Sequence, residues 1–560
     1  MSSWGWAPSR SRCRPRARAR REAATVTDTA TEPSADLVAL VRWRRLLVAL
    51  SLINAAPLWA GRYLPFTDLP EHIATSATLR HWFDPAWHAQ DTYRLAFGKS
   101  QYLAYHLVAA LLDVTGEHPI FANRVLLTAV AIALPFSLRS LLRAFGTDER
   151  LALLACPLFW CRPLVIGFLP YVAALPVALF ALSRVVAQLR EPTRRRAFTL
   201  AALGMLVFYL HISAYLVLVV VTVALVALVR GPSRPRIGAL RSLIWLLPSL
   251  GALAAWALLS ESDGGPALLA HETAVRYVPQ SSLGLFFAVW THDVWVTHVD
   301  EYLAVGFWLV VVWLGTHGRS VEPGGTWAIV TRAAPFTCVL VLYLAVPFKI
   351  GAGAMLNVRL GVLIALLLLL VPRPDPGAPS RWAFLLAAAI TVVGAGNAAW
   401  NIQRSQRELG DLDALLAQIA PGARVLALHY ARESDFTNSA PWVHALAYHR
   451  LRAGGVASMS FSEMSHWPIQ YRPEARPPKK SVMFWDFEPC LFRNSTDGAY
   501  YDVIVTRGGV DPLAGGAPGP RWRELVPVGA FRIFERARSE RDRDGGADLG
   551  PCAIPVPGVP

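Results

Sequence analysis

The sequence predicts an α-helical polytopic membrane protein followed by a soluble α/β domain, and three observations carry that reading. Hydrophobic residues make up 54% of the 560 and charged residues only 17%, a balance foreign to a soluble chain of this length. Apolar runs recur between residues 44 and 400, many with the roughly 20 residues that cross about 30 Å of hydrocarbon. Backbone in lipid must satisfy its own hydrogen bonds, and runs this continuous do so as helices. Beyond residue 400, Pro, Gly and charge rise and the apolar runs shorten to strand length.

Residues 1–43 form a basic tail. Arg10, Arg12, Arg14, Arg16, Arg18, Arg20 and Arg21 precede a Thr/Ala/Pro stretch without hydrophobic periodicity, the composition of a disordered cytoplasmic segment. The formal net charge of +15 resides in this tail and in short loops between apolar runs. That is the positive-inside pattern, and no nucleic-acid partner is expected. No small-residue cleavage site follows, so residues 44–60 read as a retained anchor.

With the tail inside, the first span delivers residues 61–118 to the outer face. Basic loops at Arg139–Arg150, Arg190–Arg196, Arg230–Arg241, Arg319–Arg332 and Arg373–Arg381 lie inside by the same rule. Parity then orders the remaining crossings as 119–138, 150–162, 164–189, 238–259, 302–316, 329–347, 356–371 and 382–400. Residues 197–229 are too long for one span and short for two, so a tight hairpin with its tip near His211 is expected. The stretch 101–115 becomes a re-entrant or interfacial helix, for roughly 11–13 helices in the transmembrane domain 44–400. A second outer loop spans 260–300.

This count leaves the C-terminal domain, 401–536, outside. It opens with a helix at 405–419 that ends at Pro421-Gly422. Arg424–His429 (RVLALH) and Tyr501–Thr506 (YDVIVT) read as buried strands, 531–536 as an edge strand, and 537–560 as a disordered tail. No CxxC pair is present, so no zinc or redox motif is supported. An oxidising compartment leaves a Cys490–Cys552 bridge open.

Chemistry concentrates just after the first span, in Asp68-Leu69-Pro70-Glu71-His72. A helix N-terminus capped by Asp68 accounts for the Asp and the Pro. It accounts less well for Glu71 and His72, which add two ionisable groups able to bind a cation or take a proton. His211 interrupts a long apolar stretch. Lys349 and Arg359 flank the turn before the run 356–371, where they either snorkel to the interface or grip a phosphate. A charge slightly inside a span is costly, which singles out Arg359. His72, His88 and Asp91, with His292, Asp293, His298, Asp300 and Glu301, are types able to ligate a divalent cation, but no spacing forms a recognised metal box. Trp442, His444, His449, Trp467 and Tyr471 are either domain core or a stacking surface for an acceptor glycan. P-loop, dinucleotide, nucleophile-elbow and HExxH patterns are all missing from the sequence.

The order of tail, first span, outer loop with an early acidic residue, helical body and outer domain resembles the GT-C superfamily of membrane glycosyltransferases. The segment DLPEHIA at 68–74 is similar to an acidic-Pro-x-His-x-Ala segment of bacterial GT-C-like proteins, and FYLHISAY at 208–215, Asn357-Val358-Arg359 and the final YDVIVTRGG fit the same pattern. The resemblance implies a multi-pass protein of the bacterial inner (plasma) membrane. It would take a sugar from a polyprenyl-phosphate donor and pass it to a glycan, lipid or protein acceptor at the outer face. It also implies Asp68 as base of an inverting transfer with Glu71 as partner or substitute, and His72, His211, Lys349 and Arg359 as substrate-binding groups, a divalent cation being possible. Two other readings compete. A transporter or flippase of a lipid-linked or anionic substrate predicts mid-bilayer charges and paired broken helices. A non-catalytic envelope assembly protein would use Asp68 only as a cap.

Overall fold

The computed structural model describes residues 35–228, 243–261, 294–317, 325–350, 353–374, 378–464, 466–478, 489–513 and 519–537. The basic tail over 1–34, the greater part of the expected outer loop 260–300, and the final tail 538–560 lie outside the described residues, as do Arg230–Arg241. From Arg45 onward the chain is one compact unit.

The body is helical. Its elements are α1 (Ala35–Ala55), α2 (Leu69–Arg80), α3 (Leu103–Leu112), α4 (Pro119–Phe145), α5 (Leu169–Arg190), α6 (Arg194–Leu210) and α7 (Ile212–Leu228). They continue with α8 (Leu247–Glu261), α9 (Val299–Thr316), α10 (Gly325–Ala345), α11 (Leu360–Leu368) and α12 (Ala378–Leu409). Among the described residues, five helical stretches are long and apolar enough to cross a membrane: α4, α5, α9, α10 and Arg381–Ala417. Leu309 and Val312 on α9, Val341 and Leu344 on α10 and Leu385 and Val392 on α12 stay exposed, the surface expected of helices that face lipid. The protein is a multi-pass membrane protein.

Three of the expected stretches are not single full-length helices. Residues 150–161 return the chain from one end of the body to the other as 3-10 turns at Glu149–Ala155 and Pro157–Phe159, ahead of a short α-helix at Arg162–Ile166. At the far end Arg139 Nε donates to Glu149 at 2.8 Å; at the near end Trp160 Nε1 donates to the Asn54 carbonyl at 3.0 Å. Leu151, Leu154 and Cys156 are fully buried, and backbone sheathed in protein is freed from the requirement that lipid imposes. The run 197–229 divides into α6 and α7 at a single extended residue, His211 (φ −165°, ψ 126°). The third is α11, whose nine residues rise only about 13.5 Å, less than half the hydrocarbon thickness of about 30 Å. It too is buried on all sides, with Arg359 as its N-cap.

The stretch expected as re-entrant or interfacial is α3, ten residues long. It rises about 15 Å and cannot cross. Gly61 packs against Ile402 and Gln406, so α1 and α12 end on the same side, where the first loop and the C-terminal domain meet.

Strands β1 (Tyr93–Leu95), β2 (Lys349–Ile350) and β3 (Gly353–Ala354) precede the C-terminal β4 (Arg424–His429), β5 (Val456–Ala457), β6 (Ile469–Tyr471), β7 (Val503–Arg507), β8 (Trp522–Glu524) and β9 (Phe531–Arg536). The domain sheet has the order β5-β4-β7-β9-β8, with β4 parallel to β5 and β7 and the other pairs antiparallel. The segment expected at the edge, 531–536, lies one strand in, because β8 pairs along its outer side. The first loop joins this domain: β1 pairs with β6, Tyr93 opposite Tyr471, and Tyr93, Phe461, Trp467 and Ile469 share one apolar cluster. The expected helix 405–419 breaks at Gly410 (φ +74°).

Candidate active site

Where the helical body meets the C-terminal domain, segments around Asp68, Gly167, His211 and Arg359 converge. Asp68 occupies the N-cap position of α2, yet its side chain makes no capping hydrogen bond. Capping therefore does not account for the carboxylate. Its backbone is pinned by hydrogen bonds from Thr67 N to Val165 O at 3.0 Å and from Asp68 N to Ile166 O at 3.1 Å. The neighbouring Gly167 has φ +101°, and a Cβ there would stand 2.5 Å from Asp68 N. Only glycine permits both the backbone conformation and the approach.

The Asp68 side chain is 15% exposed and lies 3.7 Å from His444 Nε2. Burial raises its pKa, Arg359 opposes the rise and Glu71 adds to it, and the carboxyl is pushed up to about 8. Burial holds His444 down to about 3, so at neutral pH the histidine is uncharged and forms no ion pair with Asp68.

His211 and Arg359 meet on the other flank. Ser213 N donates to His211 Nδ1 at 3.1 Å, which leaves the neutral ring with its proton on Nε2. That Nε2 lies 3.2 Å from Arg359 Nη1, and a guanidinium only donates. Two donors 3.2 Å apart leave no room for an anion between them, but an oxyanion set beside the pair can accept from both. The Arg359 guanidinium also covers the Phe168 ring at 4.1 Å, and its carbonyl accepts from the Tyr171 hydroxyl. A planar cation backed by an aromatic face is well oriented for a phosphate.

Glu71 and His72 occupy different surroundings. Both are buried. The Glu71 carboxylate accepts from Arg450 Nη1 at 3.3 Å, Ser460 Oγ at 3.0 Å and Phe461 N at 3.3 Å, and so fastens α2 to the C-terminal domain. His106 Nδ1 donates to Tyr102 O at 2.7 Å. Its Nε2 therefore accepts from His72 Nδ1 at 3.0 Å, while His72 Nε2 faces the Gly167 carbonyl at 3.0 Å. His72 thus sits behind the glycine that supports Asp68. Lys349 stands half-buried on the β2–β3 hairpin, outside the charges that act on Asp68.

An apolar groove of ≈ 350 Å³ runs between α3, α4, α5 and α6, lined by Tyr105, Ala133, Pro176, Leu206 and Leu210 among others. Leu210 in its lining directly precedes His211, and the Tyr105 ring lies 5.7 Å from that of His72. Among the described residues no group of three or more His, Cys, Asp or Glu side chains is arranged to hold a metal ion. His88 pairs with Asp91 at 3.0 Å, His298 with Glu301 at 2.8 Å, and Asp300 accepts from Val294 N at 2.9 Å.

Sequence reasoning named Asp68, His211 and Arg359, and the structure brings these together. It missed Gly167, whose positive φ has no local signature beyond a glycine ahead of Phe168-Leu169-Pro170. It also missed Arg450, one arginine among many, and read His444 as either domain core or part of a glycan-stacking surface, not as a neighbour of Asp68.

No family model and no curated protein matches the chain. The fold is similar to the cryo-EM structure of arabinofuranosyltransferase AftD from Mycobacteria, with TM-score 0.46, 14% identity, and coverage of 90% of this chain and 40% of that one. A mutant of the same protein aligns with TM-score 0.45, 15% identity and coverage of 90% and 42%. The chain spans about two fifths of the length of these structures.

Proposed function

We propose that this protein is a GT-C-type membrane glycosyltransferase that moves a sugar from a polyprenyl-phosphate donor to an acceptor at the outer face, with inversion at the anomeric carbon. The observation that carries the reading is Asp68: a carboxylate free of capping duty, with its pKa near the working range, beside the donors of His211 and Arg359. In the proposed reaction Asp68 takes the proton of the acceptor hydroxyl as the acceptor oxygen attacks the anomeric carbon. The bond from that carbon to the phosphate oxygen breaks, and the phosphate leaves with its electron pair toward Arg359 and His211 Nε2–H. The groove suits the isoprenoid tail, as its lining is apolar and includes Leu210, the residue before His211.

Orientation rests on charge and redox chemistry. Arg139, Arg143, Arg190 and Arg194–Arg196 gather at the end of the body opposite Asp68, as cytoplasmic loops do. Cys490 is disulfide-bonded, which suits an oxidising compartment. In this reading Glu71 and His72 position the site, and Lys349 meets lipid phosphate at the interface.

The test is transfer from a radiolabelled polyprenyl-phosphate sugar in sealed membrane vesicles, wild type against Asp68→Asn. The expected result is loss of transfer by the variant with unchanged detergent-solubilised elution. Equal transfer by both removes Asp68 as base, and labelling of the donor with no product in either membrane leaflet favours a carrier over an enzyme.

A further inference from the structure

We infer that the protein holds a second anion site, distinct from the Asp68 centre, which takes the phosphate of a lipid head group. A polar cavity of ≈ 650 Å³ lies between the end of α1, the start of α4 and the C-terminal domain; Arg62, Arg124, Arg452 and Tyr448 line it. It shares no lining residue with the group formed by Asp68, His211 and Arg359.

The cavity combines four features that favour a phosphate. Three arginines line it, and a planar guanidinium binds phosphate oxygens in pairs; Arg452 Nη1 donates to the Leu416 and Ile419 carbonyls at 2.6 and 3.3 Å. Helix α4, 27 residues long, begins there with Pro119, Ile120 and Phe121 in the lining, so its positive dipole end and free N–H groups point toward the space. Tyr448 is 3% exposed, and its hydroxyl has no hydrogen-bond partner among the described residues. Arg124 Nε is likewise buried without one, although its Nη2 is anchored to the carbonyls of Gly61 and Arg62. Two carboxylates, Glu117 and Asp413, also line the cavity. Asp413 is committed, pairing with Arg62 at 3.2 Å and accepting from the Tyr63 hydroxyl at 2.7 Å.

The lip of the cavity identifies the source of the phosphate. Phe121 is 56% exposed and Trp59 44%, and their rings meet edge to face at 5.6 Å, an aromatic pair of the kind that anchors a membrane–water boundary. A head group entering past these rings brings its phosphate to the arginines while its acyl chains stay in lipid.

The experiment uses full-length protein in detergent, with native mass spectrometry and thermal unfolding. The probes are dioctanoyl phosphatidylglycerol, dioctanoylglycerol and inorganic phosphate. Tyr448→Phe keeps the ring against Tyr63 and removes only the hydroxyl; Arg452→Gln removes a guanidinium that also donates to the Leu416 and Ile419 carbonyls, so its lipid-induced shift is read against its own lipid-free melting temperature. Phosphatidylglycerol should bind and raise the melting temperature of the wild type, and each variant should weaken it about tenfold, the scale of one charge-assisted hydrogen bond. Asp68→Asn should bind as the wild type does, which separates this inference from the proposed transfer reaction. Equal protection by dioctanoylglycerol, or unaltered binding in both variants, overturns the site. Equal protection by inorganic phosphate supports the anion chemistry and overturns the lipid source.

Discussion

The Glu71 carboxylate and the Arg450 guanidinium, 379 positions apart in sequence, form an ion pair with both side chains at 0% exposure. Arg450 also donates to Thr78 Oγ1 at 3.2 Å and lies over the Tyr93 ring at 5.3 Å. It therefore ties two parts of the first loop to the C-terminal domain. Removing one partner leaves the other charged and unpaired in the interior, at a cost of about 3–5 kcal/mol. Glu71→Gln should lower the unfolding temperature sharply in a thermal melt. The double variant Glu71→Gln/Arg450→Met should recover part of that loss, and a recovery of zero would count against a coupled pair.

Asp68→Asn should do the reverse to stability. The folded-state carboxyl titrates near 8 against an ordinary value of 3.8, so between those limits the folded protein holds a proton that the unfolded chain releases. Its stabilising contribution is complete below the unfolded value and is lost as pH rises through the folded one. Asn stays neutral throughout. The variant should therefore melt with the wild type near pH 4 and above it near pH 8, as differential scanning fluorimetry across pH would register.

The same titration sets the pH–rate profile. A base must be ionised, and at pH 7 roughly one carboxyl in ten is ionised when its pKa is near 8. Transfer measured as kcat/KM should climb about tenfold per pH unit below 8 and level off above it. A profile flat from pH 6 to 9 would remove Asp68 as the proton acceptor.

How much of this was legible in the sequence depends on the range of the interaction. The apolar runs of α4, α5, α9 and α10 and the strand Arg424–His429 were readable because lipid and sheet impose local periodicities. Residues 149–160 were not, since a crossing sheathed in protein escapes the rule that makes lipid-facing backbone helical. Asp68 stood out by its cluster with Glu71 and His72, His211 by interrupting an apolar stretch, and Arg359 because a charge inside a span is costly. Their mutual geometry, and the split between an available Asp68 and a committed Glu71, depend on Arg450 and Gly167, which reach the site only through the tertiary fold.

His211 serves two atoms at once, which makes its variants informative. Its Nδ1 accepts from Ser213 N at the start of α7, a task that the Asn side-chain oxygen performs well, whereas Nε2–H is the group proposed to meet phosphate. His211→Asn should thus fold normally and lose the anion contact. Arg359→Lys should keep the charge and lose the paired geometry. Loss of one donor to the developing phosphate charge typically costs about 10²–10³ in kcat, and both variants should fall in or near that range in steady-state transfer assays. A variant with unchanged kcat and donor KM would release its residue from the proposed role.

Gly167 offers the sharpest separation of strain from function. At φ +101° any Cβ is strained, and here it would also meet Asp68 N at 2.5 Å, so Gly167→Ala must push the Asp68 backbone away from Ile166. A displacement on the order of 1 Å at a reacting group costs about 10²-fold in rate. Gly146, which closes α4 at φ +70° with nothing within 4 Å of its Cβ position, supplies the control. Gly146→Ala carries the conformational strain alone, about 1–2 kcal/mol, and should leave transfer at the wild-type rate. Melting temperatures and rates measured side by side should show both alanine variants destabilised and only Gly167→Ala slowed. Equal rates for the two would mean that the hold of Gly167 on Asp68 does not shape the chemistry.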